Sequence, residues 1–132
     1  MTTPTTDTAV QFLQAFWRGD VDSAIQHSTP DAEFVFARSL PYPRRCSLRD
    51  ALDQIVNGLF AGFDPPGQFD VEIGHVVATG DQVTVEYSAS GKLANGRDYA
   101  NDYIMAFTFR DGRIAEQRAY TDTLHLSRLF GA

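Results

Sequence analysis

Three side chains in the second half of the chain carry the types that could do chemistry. Glu86 is a carboxylate, Asn101 a carboxamide and Tyr103 a phenol. Asn101 and Tyr103 share one face of any strand drawn through them, together with Met105, Phe107 and Phe109. A tyrosine hydroxyl on such a face can donate to a carbonyl or an enolate oxygen, and Asn101 can add a second donor. The same tyrosine can equally be a core residue bonded to a backbone carbonyl. Glu86 is the remaining candidate base, because a carboxylate enclosed by apolar groups is suited to proton abstraction. The alternation around it supports a blander reading. Val83, Val85 and Tyr87 form an apolar face, and Thr84, Glu86 and Ser88 form a solvated one.

Other polar residues point to structure. Asp122, in the stretch Tyr120-Thr121-Asp122-Thr123, is placed to cap a terminal helix. His27, His75 and His125 are scattered without metal-ligand spacing, so no metal is expected. Cys46 is the single cysteine, which rules out an internal disulfide and suits a reducing cytoplasm. The net charge of −6 disfavours a phosphate backbone as partner, so nucleic acid is not expected. No basic-then-apolar leader opens the sequence, and no apolar run is long enough for a bilayer, so no membrane partner is expected either.

The elements that must position these residues follow from spacing. The 132 residues, 43% of them hydrophobic, suffice for one domain with a real core. Residues 1–6 are polar and expected to fray. A helix is expected from Asp7 to Gly19, with Phe12, Phe16 and Trp17 among its apolar residues. A second helix opens at Asp20 and stops near Pro30, and Glu33 to Phe36 reads as a strand. Residues 38–46 form a Pro-rich loop. Ser47 and Asp50 resemble a capping box for a third helix, which ends at Gly62 and the Asp-Pro-Pro-Gly run of residues 64–67. Strands are expected over 68–78, 83–93, 99–110 and 113–122. Gly80-Asp81, a two-residue Asn95-Gly96 turn and Asp111-Gly112 separate them, and a short helix covers 123–130. Hairpins make an antiparallel sheet, and the early helices must cover one of its faces. The fold class is α+β: a curved antiparallel sheet wrapped around three helices, one domain over residues 1–132.

This order and its local motifs resemble the NTF2-like superfamily, within it the SnoaL-like and ketosteroid-isomerase-like branch. The resemblance runs through residues 12–34, 48–60, 96–114 and 117–123. Its most specific parts are the helix-Gly-Asp-helix opening and the strand-Asp-Gly-Arg-Ile hairpin. It implies a cone-shaped α+β barrel with a deep pocket, and a homodimer through the outer sheet face. That dimer would bury Val83, Val85 and Tyr87 if the pocket takes the other face. Such a fold hosts isomerases, cyclases, epoxide hydrolases and binding proteins, so residues must decide the function.

Tested position by position, the resemblance brings few catalytic groups. The isomerases' general base falls at Phe36, their oxyanion-binding tyrosine near Phe12 and their second oxyanion-binding acid near Met105. The aspartate of the cyclases and epoxide hydrolases falls at Ala119. The hydrolases' other aspartate and its arginine fall at Ser88 and Glu86. The facing that the resemblance implies makes a largely apolar chamber from Phe12, Phe16, Phe34, Phe36, Met105 and Ala119. Glu86, Ser88, Asn101, Tyr103, Gln117 and Thr121 would add its polar groups. The implied function is binding of a small, largely apolar, carbonyl-bearing molecule. Proton transfer of the isomerase, cyclase or dehydratase type would need no cofactor, with Glu86 as base and Tyr103 and Asn101 on the carbonyl. The alternative is a non-catalytic ligand-binding or interaction module of the same fold.

Overall fold

A computed structural model describes residues 4–65 and 68–129. The first helix, α1 (Pro4–Trp17), presents Ala9, Phe12, Leu13, Phe16 and Trp17 to the interior, and all five are buried. Their spacing is that of one helical face. The helix starts three residues before the expected Asp7. Proline at a first helical position sacrifices no hydrogen bond and presets φ, so Pro4 opens the helix and Asp7 falls within its first turn. Thr5 and Thr6 are therefore helical rather than frayed, and residues 1–3 lie outside the described residues.

Gly19 ends α1 as expected. At φ +76° it lets its own N–H donate to the Phe16 carbonyl and the Asp20 N–H to the Ala15 carbonyl. These are the two bonds of a Schellman stop. Asp20 then caps α2 (Val21–Ile25) by accepting from the Ser23 N–H at 3.1 Å.

Strand β1 (Ser28–Val35) starts before the expected Glu33 and includes Pro30. Proline cannot donate to a ladder, and the register of β1 shifts between Ser28 and Glu33. The Pro-rich loop yields a short strand, β2 (Arg45–Ser47), which pairs antiparallel with β1. Ser47 caps α3 (Leu48–Asn57), its side chain accepting from the Asp50 N–H at 3.2 Å. The helix closes at Gly58, short of the expected Gly62, and a single 3₁₀ turn follows over Phe60–Gly62. Of the Asp-Pro-Pro-Gly stop, Pro66 and Gly67 lie outside the described residues.

Four long strands complete the sheet: β3 (Phe69–Thr79), β4 (Gln82–Lys92), β5 (Asp98–Arg110) and β6 (Arg113–Thr121). The order is β2-β1-β6-β5-β4-β3, in one curved, unclosed sheet. The fold class is α+β as expected, with one exception to the antiparallel rule: β1 and β6 run parallel. They are joined through everything between them, so no hairpin dictates their direction. Asp111 (φ 53°) and Gly112 (φ 80°) make the tight β5–β6 turn, since both central residues of a type I′ turn need positive φ. Asn95-Gly96 is not a two-residue turn. Leu93 and Arg97 extend it to five residues, and Asn95 instead accepts from the Arg97 N–H and donates to the Leu129 carbonyl. Asp122 caps the final helix, α4 (Thr123–Leu129), by accepting from the His125 N–H at 3.0 Å.

Strand alternation sets the inner face. Val83, Val85, Tyr87 and Ala89 of β4 and Tyr99, Asn101, Tyr103, Met105, Phe107 and Phe109 of β5 are all buried. Fully burying a side chain such as Leu13 or Phe107 contributes about 1.5–3 kcal/mol. This facing takes the apolar set offered for a homodimer interface out of the outer face. Val83, Val85 and Tyr87 are core residues of one chain, and the outer face carries Thr84, Glu86, Ile104 and Tyr120 instead. Among the described residues no helix is long and apolar enough to cross a membrane.

Candidate functional site

The inner face and the helices do not meet everywhere. A cavity of about 690 Å³ opens between α1, β1, the 37–42 loop, α3, β5, β6 and α4. Each element contributes by its own periodicity. Helix α1 sends in Phe16 and Trp17, one turn past the fully packed Phe12 and Leu13. The β1 end sends in Phe34 and Phe36, two apart on one strand face. β5 and β6 send in the directly paired sets Tyr103 with Thr121 and Met105 with Ala119. Leu40 and Tyr42 of the loop, Ile55 and Leu59 beside α3, and Leu126 of α4 complete the apolar wall.

Aromatic rings dominate one side of the space. Phe34 and Phe36 have ring centroids 4.5 Å apart, and Tyr42 stacks on Phe36 at 4.5 Å. Trp17 meets Tyr103 edge-on at 5.4 Å, and Tyr87 lies parallel behind Tyr103 at 5.0 Å. Such contacts hold flat faces in fixed directions, beyond what area burial alone provides.

The polar groups are few and tied together. Trp17 Nε1–H donates to Tyr87 Oη at 3.0 Å. The hydroxyls of Tyr99 and Tyr103 share a short hydrogen bond. Burial raises the Tyr87, Tyr99 and Tyr103 phenols above the ordinary phenol range, so all three are neutral hydroxyls at physiological pH. In the Tyr99–Tyr103 pair either hydroxyl can be the donor; where Tyr99 donates, the Tyr103 proton remains for a ligand. Ser39 Oγ–H donates to Thr123 Oγ1 at 2.9 Å, tying the 37–42 loop to α4 across the rim. Thr121 Oγ1–H donates to the Asp102 carbonyl. Among the described lining residues there is no carboxylate, imidazole, amine, guanidinium or thiol.

The sequence matches the SnoaL-like domain family over residues 9–117. The chain belongs to that family. Among curated proteins none matches the sequence. Solved structures of the same fold include a putative SnoaL-like polyketide cyclase from Jannaschia sp. CCS1, with TM-score 0.81 and 21% identity, covering 98% of this chain and 92% of that one. TerC, co-crystallised with polyporic acid, has TM-score 0.83 and 16% identity, covering 98% and 100%. An NTF2-like protein of unknown function from Burkholderia pseudomallei K96243 has TM-score 0.81 and 16% identity, covering 99% and 100%. At these identities the likeness establishes the NTF2-like fold.

Within this SnoaL-like domain the expected site residues separate into groups. Phe16, Phe34, Phe36, Tyr103, Met105, Ala119 and Thr121 stand in the cavity wall. Phe12 does not: it is fully buried edge-on to Phe107 at 5.6 Å, sealed behind the cavity. Asn101 is buried but committed, its amide donating to the Asp122 carbonyl and its side-chain oxygen accepting from the Asp102 N–H. It anchors the start of α4 and is not free to polarise a substrate. Gln117 is fully buried, and its Nε2–H donates to Met105 Sδ at 3.2 Å.

Glu86 and Ser88 require correction. Both lie on the outer sheet face, in a groove of about 640 Å³ with Glu72, Asp102, Ile104 and Tyr120. Pleat alternation leaves no choice, since Val85 and Tyr87 are in the core and Glu86 between them must point out. Glu86 cannot act as base for anything in the cavity. Glu86→Gln should leave ligand affinity in the cavity and melting temperature unchanged. A fall in either, measured by calorimetry and thermal melting, would contradict this placement. Among the described residues no cluster of His, Cys, Asp or Glu stands in a metal-holding arrangement.

Several wall residues escaped the sequence reading. Trp17 reads as core, and it is both core and wall. Tyr42 sits between two prolines with no periodic signal, and its place over Phe36 follows from the path of the loop. Tyr99, which does not line the wall but bonds to Tyr103, was open to detection, since it precedes Tyr103 by four residues on the same strand face.

Proposed function

We propose that this SnoaL-like domain binds a small, largely apolar, carbonyl-bearing molecule in the cavity between sheet and helices. The observation that carries the reading is the Tyr103 hydroxyl, bonded to the Tyr99 hydroxyl and standing on a mostly apolar wall. With Tyr99 donating to Tyr103, the Tyr103 hydroxyl gives its own proton to a carbonyl oxygen beside it. The donor is strengthened because its partner hydroxyl is hydrogen-bonded in turn. Phe34, Phe36, Trp17 and Tyr42 supply flat apolar surface to a ring system. The fold relatives that are a putative polyketide cyclase and a protein co-crystallised with polyporic acid support a small organic molecule as occupant.

The test uses α-tetralone against tetralin, the same skeleton without its carbonyl. Tyr103→Phe should weaken α-tetralone by about tenfold, the size of a buried hydrogen bond, and leave tetralin unchanged. Equal α-tetralone affinities in wild type and variant, by calorimetry, would sink this reading.

A second reading is catalysis of proton transfer: isomerisation, cyclisation or dehydration. The same tyrosine pair favours it, because it can stabilise an enolate oxygen as well as a ketone. With Glu86 outside, the described wall offers no base, so the proton must pass to water or to a basic group of the substrate. Exchange of the α-hydrogens of α-tetralone in D₂O, followed by NMR, separates the two readings. Exchange accelerated by wild type and lost in Tyr103→Phe means catalysis. No acceleration despite binding leaves the binding module.

A further inference from the structure

Behind the cavity wall lies a polar group that the binding reading does not use. Gln117 is 0% exposed, its Oε1 has no hydrogen-bond partner, and its Nε2–H is spent on the thioether of Met105. An uncompensated buried carbonyl is costly, and a thioether is a weak acceptor. A leucine would fill this position without either cost. The side chain sits on the inward face of β6, beside Phe34 of β1 and two residues before the cavity residue Ala119. Among the described residues the amide donates to Met105, which is itself a cavity residue. Methionine is unbranched and swings between rotamers at little cost, so this cover can be moved.

We propose that Gln117 and Met105 form a gated polar subsite at the inner end of the cavity, which accepts a hydroxyl group of the ligand. When Met105 turns aside, Oε1 accepts the hydroxyl hydrogen, and Nε2–H can donate to the hydroxyl oxygen of the same ligand or return to sulfur. The cavity then has two polar ends. Tyr103 donates to a carbonyl, and Gln117 takes a hydroxyl on the far side of the ring system. The ligand class is accordingly a hydroxylated cyclic ketone. This inference rests on the binding reading and adds the second functional group.

Calorimetry on the full chain with α-tetralone and its ring-hydroxylated derivatives tests it. At least one derivative should bind about tenfold tighter than the parent ketone, and Gln117→Leu should remove that gain without weakening the parent. The side-chain amide resonance of Gln117 in the wild-type protein should shift with that derivative and stay in place with α-tetralone. The resonance needs no variant, so it decides the matter even if Gln117→Leu fails to fold. A hydroxyl gain that survives Gln117→Leu, derivatives that all bind like the parent, or a complex in which Oε1 bonds only to water would overturn the subsite. Those results leave the Tyr103 reading intact, because parent binding reports on it separately. Failure of the parent and every derivative to bind would overturn both.

Discussion

Ala119→Trp will weaken ligand binding by about a hundredfold, roughly 2.7 kcal/mol, without lowering the melting temperature. Ala119 pairs across the sheet with Met105 and stands one row from the Tyr103–Thr121 pair. A tryptophan there projects into the middle of the 690 Å³ space, between the phenol and the aromatic wall. The loss of affinity comes from occupied volume, since no hydrogen bond of the site is touched. The fold should tolerate the change because the ring enters open apolar space and buries its own surface. A ligand that binds the variant with unchanged affinity does not occupy this cavity, and titration calorimetry decides between the outcomes. A large fall in melting temperature would instead mean that the wall around Ala119 is closely packed.

The second large effect is alkaline unfolding. Tyr87, Tyr99 and Tyr103 are buried as neutral phenols, and burial raises all three above the ordinary value. In the unfolded chain they ionise near pH 10. Above that pH the unfolded state has lost protons that the folded state keeps, so stability falls as pH rises. Below it the stabilisation is fully present. Each tyrosine contributes a slope of about 1.4 kcal/mol per pH unit, and the three together about 4. A typical domain stability of about 5–15 kcal/mol is exhausted within a few units of such a slope. Melting temperature measured across this range should fall steeply above about pH 10, with tyrosinate absorbance appearing as the chain unfolds. Tyr99→Phe should flatten the slope by about a third. A flat profile through this range would show that the three hydroxyls reach solvent.

Much of the frame could be read from neighbours in sequence. Helix α1 and its stop at Gly19, the Ser47 cap of α3, the Asp122 cap of α4 and the Asp111-Gly112 turn are local events. Each is fixed by a side chain or a backbone preference within four residues. Alternation along β5 likewise reveals that Tyr103 and Met105 face inward. The site was harder to read because a resemblance set the facing of β4 against the strand's own pattern. Val83, Val85 and Tyr87 marked the inner face correctly, and Glu86 was carried to the wrong side by alignment. Asn101 was misjudged for another reason. Its face was right, but its hydrogen bonds go to Asp102, Asp122 and Tyr99, a partnership that no periodicity encodes.

What this sequence settles by itself is the α+β order, the element boundaries that local chemistry fixes, and the inward faces of the strands. Those depend on periods of 2 and 3.6 residues and on caps, all short-range properties. Only the tertiary structure decided where space remains. The parallel pairing of β1 with β6 brings Phe34 beside Gln117. The fold of the 37–42 loop lays Tyr42 on Phe36, and α4 closes back over the sheet through Ser39 and Thr123. A cavity is the volume that packed elements fail to fill. It depends on the relative placement of segments far apart in the chain, which no local pattern determines.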